Sequence, residues 1–221
     1  MPVRIDVLIM SAGRGTRYGK KEIKKQFLDL NGKTVLARSV DLFKNIEFIE
    51  NIMVVYPPDM TEEKTRQVSG VNNNRINFIR GRKKRVESVR QGLAGVNSEY
   101  VMVHDSVRPA CPKKLIINLI EQIKSFYGII PGVHPVSTLK YKTEKRVKTL
   151  DRTKTYIIQT PQLYKTEILK NGYGKLKNKD VTDSSSVVET AGYDVNIVEG
   201  SRKNIKITYP EDLEYLKGVV Q

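Results

Sequence analysis

Apolar positions along the chain recur at two alternating periods. Residues 3–10 form a largely apolar stretch that ends in Ser11-Ala12-Gly13-Arg14-Gly15-Thr16-Arg17-Tyr18-Gly19, the pattern of a buried strand running into a glycine-rich loop. Residues 34–43 place Val35, Leu36, Val40 and Phe43 at helical spacing, and residues 51–56 read as a strand closed by Pro57-Pro58. The alternation continues with a strand over 75–79, a helix over 84–96 carrying Val86, Val89, Leu93 and Val96, a strand over 100–104 and a helix over 112–126. Such repetition predicts an α/β fold, a mostly parallel sheet flanked by helices. After Pro135 the pattern changes. Residues 136–155 are polar, rich in Thr and Lys and broken at Lys145-Arg146, which predicts an extended β-hairpin arm. Residues 157–164 return to the sheet, helices follow over 166–171 and 182–191, strands over 195–198 and 205–208, and a last helix after Pro210.

At 221 residues the chain fits one such domain, and no internal repeat or low-complexity linker divides it. With 29% charged residues it lacks the run of about 20 apolar residues that a membrane span needs. Charge interrupts the opening Met1-Pro2-Val3-Arg4-Ile5-Asp6, so only residues 7–10 run uninterrupted, short of a signal-peptide core of about 7–15 residues. A soluble, cytoplasmic protein is expected. A single cysteine, Cys111, excludes an internal disulfide, and His104 and His134 have no cysteine neighbours at zinc-ligand spacing. The net charge of +15 favours polyanionic partners: nucleotides, phosphorylated metabolites or nucleic acid.

Three clusters carry candidate chemistry. In the loop after the first strand, Gly13 and Gly15 begin a dinucleotide fingerprint, but Tyr18 stands where its third glycine belongs. Gly19-Lys20 lacks the upstream glycine and the following Ser or Thr of a P-loop. Arg17 and Lys25 nevertheless direct charge to one place, which suits a triphosphate. The second cluster, Arg80-Gly81-Arg82-Lys83-Lys84-Arg85-Val86-Glu87-Ser88, lies between a strand end and a helix start, where unpaired N–H groups attract anions. It also reads as a solvated basic surface or a nucleic-acid patch over 80–85. Third, His104-Asp105-Ser106-Val107-Arg108-Pro109 puts Asp105 where a carboxylate could hold Mg²⁺ with substrate phosphates, and Arg108 where it could meet a second anion. His104 and Cys111 have no partner triad and are expected to pack rather than react.

Together with Lys25-Gln26-Phe27, Thr160-Pro161-Gln162, Thr182-Asp183 and Asn204-Ile205-Lys206, these stretches resemble, in order and spacing, the 2-C-methyl-D-erythritol 4-phosphate cytidylyltransferases. Ribitol 5-phosphate cytidylyltransferases are the close relatives. The resemblance spans essentially the whole chain. It implies a Rossmann-like domain, 1–221, that forms a homodimer by exchanging hairpin arms over about 136–155. It implies transfer of CMP from CTP to 2-C-methyl-D-erythritol 4-phosphate with release of pyrophosphate, in the non-mevalonate route to isoprenoid precursors. By matching position, Ser11, Ala12, Gly13 and Gly15 with Arg17 and Lys25 would hold the CTP phosphates. Gly81, Ser88 and Ser106 would complete the nucleotide site, and Asp105 would meet Mg²⁺ and substrate. Arg108, Thr182 and Lys206 would contact the polyol phosphate, joined by Thr138 and Arg152 from a partner's arm; Arg17, Lys25 and Lys206 carry the catalytic charge. The chain departs from the family where Gly81-Arg82-Lys83 replaces Gly-Gly-Asp, where Ser184 follows Thr182-Asp183 in place of Glu or Asp, and at Ser106-Val107, where Val107 is closer to the ribitol branch. Residues 80–85 leave a basic nucleic-acid-binding module as the non-enzyme alternative. No helix-turn-helix, zinc-finger or aromatic RNA-binding signature supports it.

Overall fold

The computed structural model describes residues 3–13, 15, 18, 23–71, 73, 76–176, 181 and 183–220. Arg17 and Thr182, and Arg75 at the expected start of a strand, lie outside that set. The first half contains β1 (Ile5–Met10), the short hairpin β2 (Asp29–Leu30) and β3 (Lys33–Thr34), α1 (Val35–Asp41), β4 (Ile49–Tyr56), α2 (Glu62–Ser69), β5 (Ile76–Arg80), α3 (Arg85–Leu93), β6 (Tyr100–Asp105) and α4 (Lys113–Gln122). Then follow β7 (Gly128–Val133), β8 (Lys140–Lys142), β9 (Val147–Thr149), β10 (Ile157–Ile158), β11 (Gln162–Lys165), α5 (Thr166–Lys175), α6 (Ser185–Thr190), β12 (Val195–Glu199) and α7 (Pro210–Val219).

β1 lies inside the sheet because both of its faces are apolar. Ile5, Val7 and Ile9 join α1 and α4 in one core, while Leu8 points to the other, with α3, α5 and α6. β4 and β6 flank β1 in parallel, and β5 lies parallel outside β4. Met10 pairs with Val55 and Asp105, and Tyr56 pairs with Arg80. The carboxyl ends of four strands therefore share one sheet edge, and the loops after β1, β5 and β6 open there, where α/β sheets bind ligands. In a third apolar cluster, Leu213 and Leu216 of α7 pack with Val107, Ile207, Leu30 and Val35.

The other side of the sheet is mixed. β11 runs antiparallel to β6 and β7, β10 antiparallel to β7, and β12 parallel to β7. β7 was not expected, since Pro131 interrupts it and proline argues against an interior strand. Here residues 159–161, with a cis Thr160-Pro161 bond, separate β10 from β11 opposite that proline. Gln159 N–H donates to the Pro131 carbonyl at 2.8 Å. The N–H and C=O of a strand residue face the same side, so the missing donor faces this break and no ladder loses a partner.

The expected strand over 205–208 does not form. Side chains take carbonyls here instead: Arg108 Nη1 donates to Asn204 O, just before the segment, at 2.8 Å and Lys25 Nζ to Ile207 O within it at 2.7 Å. One backbone bond, Ile207 N–H to Val107 O at 2.9 Å, fastens the segment to the loop after β6. The expected hairpin arm is present as β8 paired with β9 in a sheet of its own, all six of their residues exposed.

Candidate active site

The loop after β1 is held by a buried amide. Gln26, in the 3-10 turn Lys25–Phe27, donates from Nε2 to the carbonyls of Ser11 at 2.7 Å and Gly13 at 3.4 Å. Gly15 has φ of +67°, a left-handed backbone that side chains resist. The stem of Lys25 passes over it, 3.5 Å from where a Cβ would stand. Across the sheet edge, Gly81 donates its N–H to Tyr56 O at 2.8 Å, and a Cβ there would come within 2.6 Å of the Ala12 Cβ. Glycine at 81 thus lets the two loops meet. Ser88 braces the second loop: its Oγ accepts from Arg82 N–H at 2.9 Å and lies 3.0 Å from the Lys84 carbonyl.

Asp105 ends β6 under three cations. Lys206 Nζ lies 2.7 Å from Oδ2, Arg108 Nε 3.9 Å from Oδ2 and Arg85 Nη2 3.7 Å from Oδ1. Burial pushes this carboxyl up, but Lys206, then Arg85 and Arg108, outweigh it and hold it well below the usual carboxylate range. Asp105 is an anion throughout the neutral range. Its backbone N–H donates to Thr160 Oγ1 at 2.9 Å. That hydroxyl lies 3.3 Å from His104 Nδ1, and His104 Nε2 lies 3.2 Å from the Arg108 carbonyl. Asn204 Nδ2 closes the ring with a bond to Thr160 O at 2.9 Å. His104 is thereby a packing residue, edge-on to Phe43, its pKa lowered to about 4 by burial. Burial pushes the Cys111 thiol up to about 12, which leaves it inert.

These elements enclose a cavity of about 240 Å³. Of the residues named from sequence, Ser11, Ala12, Gly13, Gly15, Lys25, Ser88, Asp105, Ser106 and Lys206 line it. The Ser11 hydroxyl is buried there without a hydrogen-bond partner. Gly81 supports the wall rather than lining it, and Arg108 is buried behind Asp105. Thr138 and Arg152 are on the exposed arm, away from the cavity lining, where Arg152 Nη1 donates to Val136 O at 3.2 Å. Arg82, Lys83, Lys84 and Arg85 border the cavity, so the basic run faces a ligand site rather than bulk solvent alone. Gln26 and Arg85 are contributors beyond the expected set. The stretch Lys25-Gln26-Phe27 was a signal for the first, whereas Arg85 was hidden within a run of four cations.

Parallel strand ends that present a glycine-rich loop, two lysines and an ionised carboxylate to one cavity suit a nucleotidyltransferase, and the comparisons bear out that class. The family model for 2-C-methyl-D-erythritol 4-phosphate cytidylyltransferase (IspD) matches residues 5–221. Enzymes of that name from Clostridium perfringens and Clostridium botulinum are 34% and 37% identical over 212 and 214 residues, covering 93% and 94% of this chain and 94% and 93% of theirs. Among solved structures, 4-diphosphocytidyl-2C-methyl-D-erythritol synthase from Anaerococcus prevotii superposes with a TM-score of 0.86 at 26% identity, covering 100% of this chain and 97% of the other. The Francisella tularensis 2-C-methyl-D-erythritol 4-phosphate cytidylyltransferase does so at 0.81 and 32%, covering 96% and 97%. The chain belongs to the 2-C-methyl-D-erythritol 4-phosphate cytidylyltransferase family.

Proposed function

We propose that this protein transfers CMP from CTP to 2-C-methyl-D-erythritol 4-phosphate and releases pyrophosphate, as an enzyme of isoprenoid precursor synthesis. The observation that carries the reading is the convergence of Lys25, Asp105 and Lys206 on one cavity beside the loop at Ser11–Gly15. The family's curated relatives carry the methylerythritol name, which favours that acceptor over ribitol 5-phosphate. Val107, the residue closest to the ribitol branch, packs against Ile207 and α7 as well as touching the cavity.

A phosphomonoester has a second pKa of about 6, so near neutrality its oxygen is already a nucleophile and needs no general base. That oxygen forms a bond to the α-phosphorus of CTP as the bond from that phosphorus to the β-phosphate oxygen breaks, and the electron pair leaves with pyrophosphate. The obstacle is repulsion between two polyanions. The loop at Ser11, Ala12, Gly13 and Gly15, with Arg17 and Lys25, holds the triphosphate, and Gly81, Ser88 and Ser106 shape the cytidine end. Asp105, Thr182 and Lys206 receive the acceptor, with the charge of Arg108 behind Asp105. Lys25 and Lys206 approach the reacting phosphates from different segments and absorb their developing charge.

The donor set fits Mg²⁺ in a limited way. Asp105 offers one anionic oxygen whose nearest cation is 3.7 Å away, and among the described residues no group of three His, Cys, Asp or Glu gathers. An ion would be held by Asp105 together with phosphate oxygens and water, the manner usual for Mg²⁺. When bound it would neutralise phosphate charge.

The arm supports a homodimer. Val136, Tyr141 and Val147 expose large apolar side chains on it, and Thr138 and Arg152 are not among the residues that line the cavity described above. A partner's arm would bring the partner subunit's Thr138 and Arg152 to the acceptor. Among the described residues no helix is long and apolar enough to cross a membrane, which agrees with an enzyme that works on CTP in the cytoplasm. The test supplies CTP and Mg²⁺ with each polyol phosphate and measures pyrophosphate. Release with the methylerythritol phosphate is expected; release with ribitol 5-phosphate alone, or salt-sensitive DNA binding without any release, overturns the reading.

A further inference from the structure

Two legs join the hairpin arm to the sheet. On one, β7 ends at Val133 and is followed by His134 and Pro135; on the other, residues 150–156 lead back to β10. The ladder between β7 and β10 reaches Val133 and Ile157, and Pro135 has no N–H with which to carry it on. Pairing begins again in the arm, where Leu150 N–H donates to Leu139 O at 3.0 Å. Between these points lie residues 135–138 on the first leg and 151–155 on the second, so the second is the longer by one residue and the register breaks.

His134 bridges the break. Its Nδ1 lies 3.1 Å from the carbonyl oxygen of Arg152 and 3.1 Å from that of Thr155. Both partners can only accept, so Nδ1 carries the hydrogen. The ring lies against Tyr156 with centroids 4.2 Å apart, and the His134 carbonyl accepts from Arg202 Nη2 at 3.3 Å. The two carbonyls that His134 holds belong to one turn. There Asp151 Oδ1 accepts from Thr153 N–H at 2.9 Å, and Asp151 O accepts from Lys154 N–H at 3.2 Å and from Thr155 Oγ1 at 2.8 Å. Among the described residues the other hydrogen bond across the break runs from Arg152 Nη1 to Val136 O at 3.2 Å. That bond is made by the guanidinium itself, whose donors a phosphate would take.

We propose that His134 is a positioning residue for the phosphomonoester acceptor: it ties the backbone of Arg152 to the sheet, so that the guanidinium reaches the acceptor from a preset place. The inference rests on the reading that the arm lends Arg152 to a partner's site. Residues 151–154 are exposed, and a segment left loose must be ordered when the acceptor binds, which weakens binding. A clamp that grips the Arg152 carbonyl removes that cost and leaves the guanidinium free to bind.

The test uses His134→Phe, which keeps a ring against Tyr156 without the donor, and His134→Asn, whose amide nitrogen stands two bonds from Cβ as Nδ1 does. Acceptor kcat/KM is measured from pyrophosphate release at saturating CTP, CTP Kd by calorimetry without acceptor, and assembly by light scattering. His134→Phe is expected to lower acceptor kcat/KM about tenfold, with CTP Kd within about twofold and the dimer intact; His134→Asn recovers part of the loss. Added to Arg152→Ala, His134→Phe should cost less than about twofold more, because it acts through Arg152. Should the Phe variant fail to fold, His134→Leu takes its place with the same expected pattern. Wild-type kcat/KM in Arg152→Ala refutes the reading of the arm, and the proposal falls with it. With Arg152→Ala impaired, kcat/KM of His134→Phe within about twofold of wild type overturns the proposal alone. So does a monomeric Phe variant, a CTP Kd weakened as much as kcat/KM, or the full tenfold loss in the Arg152→Ala background.

Discussion

Lys206 Nζ lies 2.7 Å from Oδ2 of Asp105 across a sequence separation of 101 residues. The contact joins the end of β6 to the irregular segment before α7, and it keeps a partly exposed ammonium aimed into the cavity. Lys206→Ala removes a preorganised charge and is expected to cost about 3–4 kcal/mol of transition-state stabilisation, a hundred- to thousandfold in turnover. The fold should survive, because Asp105 keeps Arg85 and Arg108 within 3.9 Å. Pyrophosphate release alongside a thermal melt checks both halves, and near-normal turnover sinks the assignment of Lys206.

Lys25 stands in the same relation to the phosphate loop. Its Nζ donates to Ile207 O at 2.7 Å, so a triphosphate that recruits it must compete with a neutral carbonyl, and the ionic contact is the stronger. Lys25→Ala should lower turnover by about the same hundred- to thousandfold, with the melting temperature close to wild type.

Gln26 acts through the backbone it holds. Gln26→Leu leaves the buried Ser11 carbonyl without its 2.7 Å donor, a loss of about 1–3 kcal/mol that falls on the loop meant to receive the triphosphate. CTP Kd from calorimetry should rise about tenfold. An unchanged Kd means that the loop holds its shape without the amide.

Most of the parallel half of the sheet was legible in the chain, because strands buried on both faces, such as β1 and β6, have near-continuous apolar runs. What escaped was structure maintained by long-range side chains. β7 contains a proline that only its break-facing position makes tolerable, and 204–208 alternates like a strand although Arg108 and Lys25 occupy the carbonyls of Asn204 and Ile207. α2 has no apolar stripe, since Thr65 and Ser69 are its buried residues; its caps, Thr61 accepting from Lys64 N–H at 3.1 Å and left-handed Gly70, were the readable signal. At the site, loop and charge positions were legible one at a time. That Arg85 and Lys206 share one carboxylate was not, since no local pattern encodes a contact between distant segments.

His104 gives the fold a pH dependence. Its pKa falls from 6.5 to about 4 on burial, so between those values the unfolded chain binds a proton that the folded chain does not. The stability tied to neutral His104 is complete above pH 6.5 and is lost as pH falls toward 4, on the order of 3 kcal/mol in all. Urea unfolding at pH 7 and pH 4.5 should show this loss, and His104→Gln, whatever its own stability, should flatten the difference. An equal pH slope in the variant removes His104 as the cause. Turnover should instead lose its acid limb near the acceptor's second pKa of about 6, unmoved by the substitution.

Arm exchange predicts complementation between two inactive variants. Arg152→Ala disables the site to which the arm is lent, and Lys206→Ala disables the site in its own chain. Unfolding and refolding the two together should give mixed dimers in which one site carries both defects and the other neither. With random pairing, half of the dimers are mixed and each has one intact site, so roughly a quarter of wild-type turnover should return. If each arm serves its own chain, every site in every dimer keeps one defect and nothing returns. Light scattering on the refolded mixture establishes that dimers have formed, so that an absence of recovery speaks against exchange and not against assembly.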